Sequence, residues 1–193
     1  MTNQQARDES VNLLLGGSET MATALTWLCY LLAKHPEIQE QVYNEIKSTL
    51  GNRDFIIEGL SNLNLLKMSF QEALRLYPPV YLLSRESLKP IELNDQIHIL
   101  LFVLQRNKKL FENPDQFRPE RFSEENKHKI RPNTYIPFGL GPRSCVGERF
   151  GHMATLLKKF KLVGTQEAEI EAKVALYPKN GLQLKIVPRI DPS

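Results

Sequence analysis

The chain has 193 residues, with 25 Lys+Arg against 22 Asp+Glu and a formal net charge of +3. A hydrophobic fraction of 41% and a charged fraction of 24% exclude wholesale disorder, collagen-like sequence and coiled-coil repeats, and the length suits one domain or part of a larger one. Two cysteines exclude a disulfide framework, and so small a charge excess without a long basic stripe argues against nucleic acid as a partner.

The start, Met1 to Ser10, is polar and carries Asp8 and Glu9, which is not the pattern of a signal peptide. Leu13 to Ala33 is apolar but broken by Gly16, Gly17, Ser18 and Glu19, short of the ~18 apolar residues of a membrane span. These observations favour a cytoplasmic chain. From about 5 to 34 the sequence predicts one long helix, with Val11, Leu14, Leu15, Met21, Ala22, Leu25, Leu28, Cys29 and Leu32 on one stripe. Pro36 ends it and suits the first turn of a second helix, about 36–50, which stops at Gly51. A third helix, about 63–76, carries Leu63, Leu66, Phe70, Ala73 and Leu74 and ends before Pro78-Pro79.

Residues 80–104 read as extended, with a turn at Asn94-Asp95. Residues 106–144 are irregular and rich in Pro and Asn, and so long a segment is either functional or disordered. Phe117, Arg118, Arg121 and Phe122 favour an ordered, packed loop. A short helix is expected at about 147–161, then strands to Pro188 with a turn at Lys179-Asn180-Gly181. The fold class is mainly α, with small β-sheets (α+β).

Chemistry concentrates in Phe138-Gly139-Leu140-Gly141-Pro142-Arg143-Ser144-Cys145-Val146-Gly147. A cysteine before a helix meets unpaired N–H groups and a partial positive charge, both of which favour the thiolate. Glycines let the backbone approach a flat ligand, and Arg143 can pair with an anionic group on it. The plain alternative is a glycine-rich turn around a small cysteine. A phosphate loop is excluded, because the Gly-Lys-Ser/Thr ending is missing.

Phe138-x-x-Gly141-x-Arg143-x-Cys145-x-Gly147 resembles the haem-ligand signature of the cytochrome P450 superfamily, the haem-thiolate monooxygenases. Gly16-Gly17-Ser18-Glu19-Thr20, Glu72-Ala73-Leu74-Arg75 and Pro119-Glu120-Arg121-Phe122 are similar to three further family segments, in the same order. The resemblance runs from about residue 5 to 188 and is to the C-terminal half of that fold: a long oxygen-binding helix, the helix carrying Glu72 and Arg75, small sheets and the cysteine loop. Residues 1–193 are thus expected to form a partial domain, a fragment or truncated product lacking the N-terminal half.

The resemblance implies haem b as cofactor, with Cys145 as its axial iron ligand. Phe138, Gly139, Arg143 and Gly147 would surround it, and Arg85 and Arg143 would pair with its propionates. Glu19 and Thr20 would relay protons for O–O cleavage, the two glycines before them marking a local kink. Read from residue type alone, Thr20 back-bonds to a carbonyl and Glu19 faces water. Glu72 and Arg75, spaced i,i+3 on one helix face, would join Arg121 in locking the cysteine loop. Cys29 is expected to be an inert buried thiol, and His35, His98, His128 and His152 share no metal-ligand spacing.

The implied activity is hydroxylation of a hydrophobic organic substrate with O2 and electrons from an external reductase or ferredoxin, since no flavin or NAD fingerprint is present. Lys158, Lys159 and Lys161 form either a docking face for that donor or a plain solvated surface. Two departures stand out. Gln96-Ile97-His98-Ile99 runs straight into Leu100-Leu101-Phe102 where relatives have a Pro/Gly turn, and the helix after the cysteine is short by about two turns. Two other readings remain: a truncated remnant that binds haem without turnover, and a haem-thiolate isomerase or dehydratase, against which the Glu19-Thr20 pair counts.

Overall fold

The computed structural model describes residues 1–51, 62–86, 96–145, 160–164, 167–173 and 175–189. Helix α1 runs from Asn3 to Lys34, beginning two residues before the expected start at about residue 5. Thr2 and Gln5 explain the difference: the Gln5 N–H donates to Thr2 Oγ1 at 3.2 Å, and the Thr2 N–H donates to Gln5 Oε1 at 2.8 Å. This reciprocal cap satisfies two otherwise orphaned donors. Pro36 opens α2 (Pro36–Leu50), which closes on Gly51 at φ 55°. In α3 (Asn64–Leu76), the Leu65 and Leu66 N–H groups both donate to the Glu45 carboxylate of α2, at 2.8 and 3.0 Å. An anion at a helix N-terminus is favoured by dipole and hydrogen bonding together.

Strand β1 (Leu82–Glu86) pairs antiparallel with β2 (Gln96–Leu100), Leu82 opposite Leu100. The expected turn at Asn94-Asp95 lies outside the described residues. Leu101–Leu104, expected to be extended, instead form one helical turn, α4. The reason is tertiary: the Leu101 N–H is taken by Tyr81 O at 2.8 Å, and Gln105, wholly buried, donates from Nε2 to Leu74 O and Arg75 O at 3.1 Å each. These bonds override the strand preference of an apolar run.

The expected helix over 147–161 lies outside the described residues up to 159, and its last two residues, Phe160 and Lys161, are strand instead. They open β3 (Phe160–Val163), which pairs with β6 (Lys185–Pro188). Between them β4 (Ile170–Ala172) pairs with β5 (Leu176–Pro178). The expected turn follows β5, with Gly181 at φ 71° and its N–H on Pro178 O at 3.0 Å.

The core joins the second half of α1 (Trp27, Leu28, Leu31, Leu32) to Val42 and Ile46 of α2, Ala73 and Leu76 of α3, Phe117 and Leu162. Trp27 stacks on Tyr77, centroids 4.0 Å apart and planes 6° from parallel. Gln39 is buried and acts like one rung of a strand. Its Nε2 donates to Leu32 O and Leu162 O at 2.9 Å each, and its Oε1 accepts from the Leu162 N–H at 2.8 Å. The first half of the predicted apolar stripe is not buried: Val11, Leu14 and Leu15 are 47%, 69% and 61% exposed. Burial on α1 begins at Thr23, because α2, α3 and β3 all pack on its second half.

Candidate functional site

The site is built on α3. Glu72 and Arg75, one turn apart on its buried face, are both fully enclosed. Arg75 donates from Nε to Glu72 Oε2 at 2.7 Å and from Nη2 to Oε1 at 2.8 Å. Arg121, on a 3-10 turn at Pro119–Phe122, donates from Nε to the same Oε1 at 3.1 Å. The structure thus brings together the three residues the sequence grouped. Burial lowers the Arg121 pKa from its usual value, and the Glu72 carboxylate opposes that shift.

This cluster fixes the long loop at several points. Glu72 Oε1 also accepts the Arg118 N–H at 3.0 Å, while Arg75 donates from Nη1 to Gln105 O at 2.8 Å and from Nη2 to Gln116 O at 3.2 Å. Arg121 Nη2 reaches Asn113 O at 2.7 Å, where Asn113 holds φ 44° before Pro114. Farther along, Tyr135 Oη donates to Gln71 O of α3 at 3.0 Å. Sequence reasoning did not single out Asn113, Gln105 or Tyr135. Only Asn113-Pro114 carries a local signal, as a turn dipeptide.

The loop ends by folding on itself. Gly139 and Gly141 take φ 74° and 84°, in the left-handed region that favours glycine. The Cys145 N–H donates to Phe138 O at 2.9 Å and closes the loop, leaving the Cys145 and Arg143 side chains exposed. Gly147, and the helix whose N-terminus was to favour the thiolate, lie outside the described residues. Arg85, exposed on β1, places Nη2 4.0 Å from where a Cβ on Gly139 would stand. An accessible sulfur, a bare glycine backbone and two guanidinium groups suit a flat ligand with an anionic rim and a thiolate-binding metal. A cleft of about 400 Å³ lies between α3 and this loop, lined by Phe70, Leu74, Tyr135, Phe138 and Leu140 among others, and Cys145 is not part of its lining.

Glu19 and Thr20 are neighbours on α1 with separate partners. Thr20 Oγ1 donates to Gly16 O at 2.7 Å, the local bond anticipated from residue type. Glu19 Oε1 accepts a hydrogen bond from Tyr177 Oη of β5, which sequence reasoning did not find. That bond raises the Tyr177 pKa above its ordinary value. Among the described residues, nothing stands within 4 Å of a Cβ built on Gly16 or Gly17. Cys29, expected to be buried, is half-buried, and desolvation pushes its thiol pKa up to about 11. No helix among the described residues is long and apolar enough to cross a membrane.

A family model described as Cytochrome P450 matches residues 1–186. The chain is 34% identical over 207 residues to cytochrome P450 3A29 of Sus scrofa, covering 98% of this chain and 41% of that protein. It is 31% identical over 208 residues to cytochrome P450 4c3 of Drosophila melanogaster, covering 98% of this chain and 39% of that one. Against cytochrome P450 3A19 of Capra hircus aegagrus it is 34% identical over 194 residues, covering 91% of this chain and 89% of the curated sequence. The crystal structure of a cytochrome P450, CYP102L1, superposes with a TM-score of 0.87 at 26% identity, over 98% of this chain and 47% of that one. The chain therefore spans about two fifths of the length of the first two of these relatives.

Proposed function

Since the chain belongs to the cytochrome P450 family, we propose that it is the cysteine-ligand part of a haem-thiolate monooxygenase, holding haem b through the Cys145 sulfur and hydroxylating a hydrophobic substrate with electrons from a separate donor. The observation that carries this reading is the closure of the loop: the Cys145 N–H on Phe138 O and two left-handed glycines leave the sulfur facing outward. Bound there, the haem iron would supply dioxygen chemistry, the thiolate pushing electron density that favours O–O cleavage.

The chain's own residues divide the remaining work. Arg85 and Arg143 would neutralise the anionic rim, Arg85 from beside Gly139. Phe138 would pack against the haem, and Glu72, Arg75 and Arg121 hold the loop that carries the sulfur. The Glu19 carboxyl takes a proton from solvent at its oxygens and passes it towards Thr20 Oγ1. Thr20 accepts that proton on an Oγ1 lone pair and gives up its own to the oxygen being reduced, for which its hydroxyl must first turn away from Gly16 O.

A second reading, haem binding without turnover, draws on the exposed Val11, Leu14 and Leu15. An apolar face of that size is normally covered in a working enzyme. One experiment separates the readings. The purified chain is mixed with haem, reduced, and its absorption spectrum recorded with and without carbon monoxide. A strongly red-shifted carbonyl band, lost in Cys145→Ala, is the expected result, and substrate hydroxylation with a reductase then distinguishes enzyme from remnant. A free-haem or histidine-type spectrum refutes Cys145 ligation.

A further inference from the structure

The acid of the relay pair is held from an unexpected direction. Glu19, Thr23 and Trp27 lie at i, i+4 and i+8 and so share one face of α1, and β5 lies along that face. Trp27 Nε1 donates to Leu176 O at 2.7 Å, and the next residue, Tyr177, donates from Oη to Glu19 Oε1. Thr20 is one residue on, about 100° around the helix, with its hydroxyl on Gly16 O. We propose that Tyr177 is a positioning residue for Glu19: it fixes the carboxylate over the β5 face of α1, so that the carboxylate must leave the phenol before it can serve Thr20. The proposal rests on the reading of Glu19 and Thr20 as a proton relay.

The anchoring of β5 gives the contact its fixed geometry. Leu176 is 3% exposed, and its N–H donates to Pro79 O at 3.1 Å while its C=O accepts from Trp27. The ribbon is pinned again where Tyr81 Oη donates to Lys173 O at 3.0 Å, and Lys179 Nζ pairs with Glu169 Oε2 at 3.0 Å just past the strand. Tyr177 therefore reaches α1 from a strand held on both sides. The groups facing its phenol are the Glu19 carboxylate and the Thr23 hydroxyl, both from α1.

Tyrosinate absorbance near 295 nm, followed against pH, reads this contact directly. The chain has 6 tyrosines and one tryptophan. In Glu19→Gln, one tyrosine should ionise at lower pH than in the wild type, because the carboxylate that opposes a phenolate is gone. In Tyr177→Phe that transition should disappear, and adding Glu19→Gln to Tyr177→Phe should change nothing more. Unaltered Trp27 emission in each variant shows that β5 remains docked. If Glu19→Gln leaves all the tyrosine transitions in place, or still moves one of them when Tyr177 is Phe, the positioning role is refuted.

The relay itself is read separately, from the solvent isotope effect on oxygen consumption by the haem-loaded chain. If Glu19 relays protons, Glu19→Gln makes proton delivery more rate-limiting and enlarges that effect, and Tyr177→Phe, which frees the carboxylate, reduces it. Tyrosine coupling without any response of the isotope effect to Glu19→Gln overturns the relay and leaves Tyr177 as the residue that fixes the carboxylate.

Discussion

Glu72→Ala is the most informative single perturbation of the loop support. It removes the acceptor of four hydrogen bonds: from Arg75 Nε at 2.7 Å, Arg75 Nη2 at 2.8 Å, the Arg118 N–H at 3.0 Å and Arg121 Nε at 3.1 Å. Arg75 keeps its bonds to Gln105 O and Gln116 O but remains wholly buried with no counter-ion. Stranding a buried charge costs about 3–5 kcal/mol, whereas an exposed pair is worth about 0–1 kcal/mol. With a urea m-value of about 2 kcal/mol/M, the unfolding midpoint should fall by roughly 2 M. Trp27, the single tryptophan, reports the transition, since it is fully buried and stacked on Tyr77 just past the end of α3. Glu124→Ala, which breaks only the exposed pair with Lys127, serves as the control and should change little. Replacing both partners, Glu72→Leu with Arg75→Leu, should recover part of the loss, as the wholly buried Arg75 charge is then gone and only Arg121 loses its carboxylate. A Glu72→Ala loss below about 1 kcal/mol would refute the view that this cluster fixes the loop.

Two further outcomes follow from the buried groups. Gln39→Leu strands Leu32 O together with the Leu162 C=O and N–H, and should cost about 3–9 kcal/mol at roughly 1–3 kcal/mol per abandoned group; urea titration measures the loss, and amide exchange at Leu162 should rise with it. Iodoacetamide at pH 8 should alkylate the exposed Cys145 and spare Cys29, whose pKa of about 11 leaves about one thiol in a thousand ionised; mass spectrometry settles it, and early labelling of Cys29 in folded protein would refute its burial. The sign of the pH effect follows. Cys29 disfavours ionisation in the folded chain, so its contribution to stability is complete below the ordinary thiol value of about 9 and is lost as pH rises through about 11.

The three long helices were legible because their signals are local. Apolar periodicity marks their faces, and Pro36, Gly51 and Pro78 punctuate them within a residue or two of the observed ends. Leu101–Leu104 was not legible, since a Leu-Phe-Val-Leu run favours a strand and its helical turn depends on Tyr81 and the buried Gln105. The stripe at Val11, Leu14 and Leu15 has the composition of a buried face, but periodicity says only that a face is apolar, not what covers it. In the site, Glu72 and Arg75 were joined by spacing. Arg121 entered through family resemblance, since nothing local links it to α3. Tyr177 escaped altogether: it meets Glu19 across 158 residues, a separation no short-range pattern records.

That division explains how the cysteine loop is built. Apart from short 3-10 turns at Pro119–Phe122 and Lys127–Lys129, the segment from 106 to 145 has no regular secondary structure of its own. Ordering each residue of such a segment costs about 1–2 kcal/mol of backbone entropy, and no hydrogen-bond ladder offsets it. Prolines lower part of that cost in the unfolded chain, and the rest must come from fixed points elsewhere. One helix supplies several of them: α3 holds the early loop through Glu72 and Arg75 and the middle through Gln71 O on Tyr135, while Phe138 and Leu140 line a cleft opposite Phe70 and Leu74. The loop that ends at Cys145 is therefore held in part by α3, through residues distant from it in sequence. A change at Glu72 should weaken the closing bond from the Cys145 N–H to Phe138 O before it alters any group that would touch the haem.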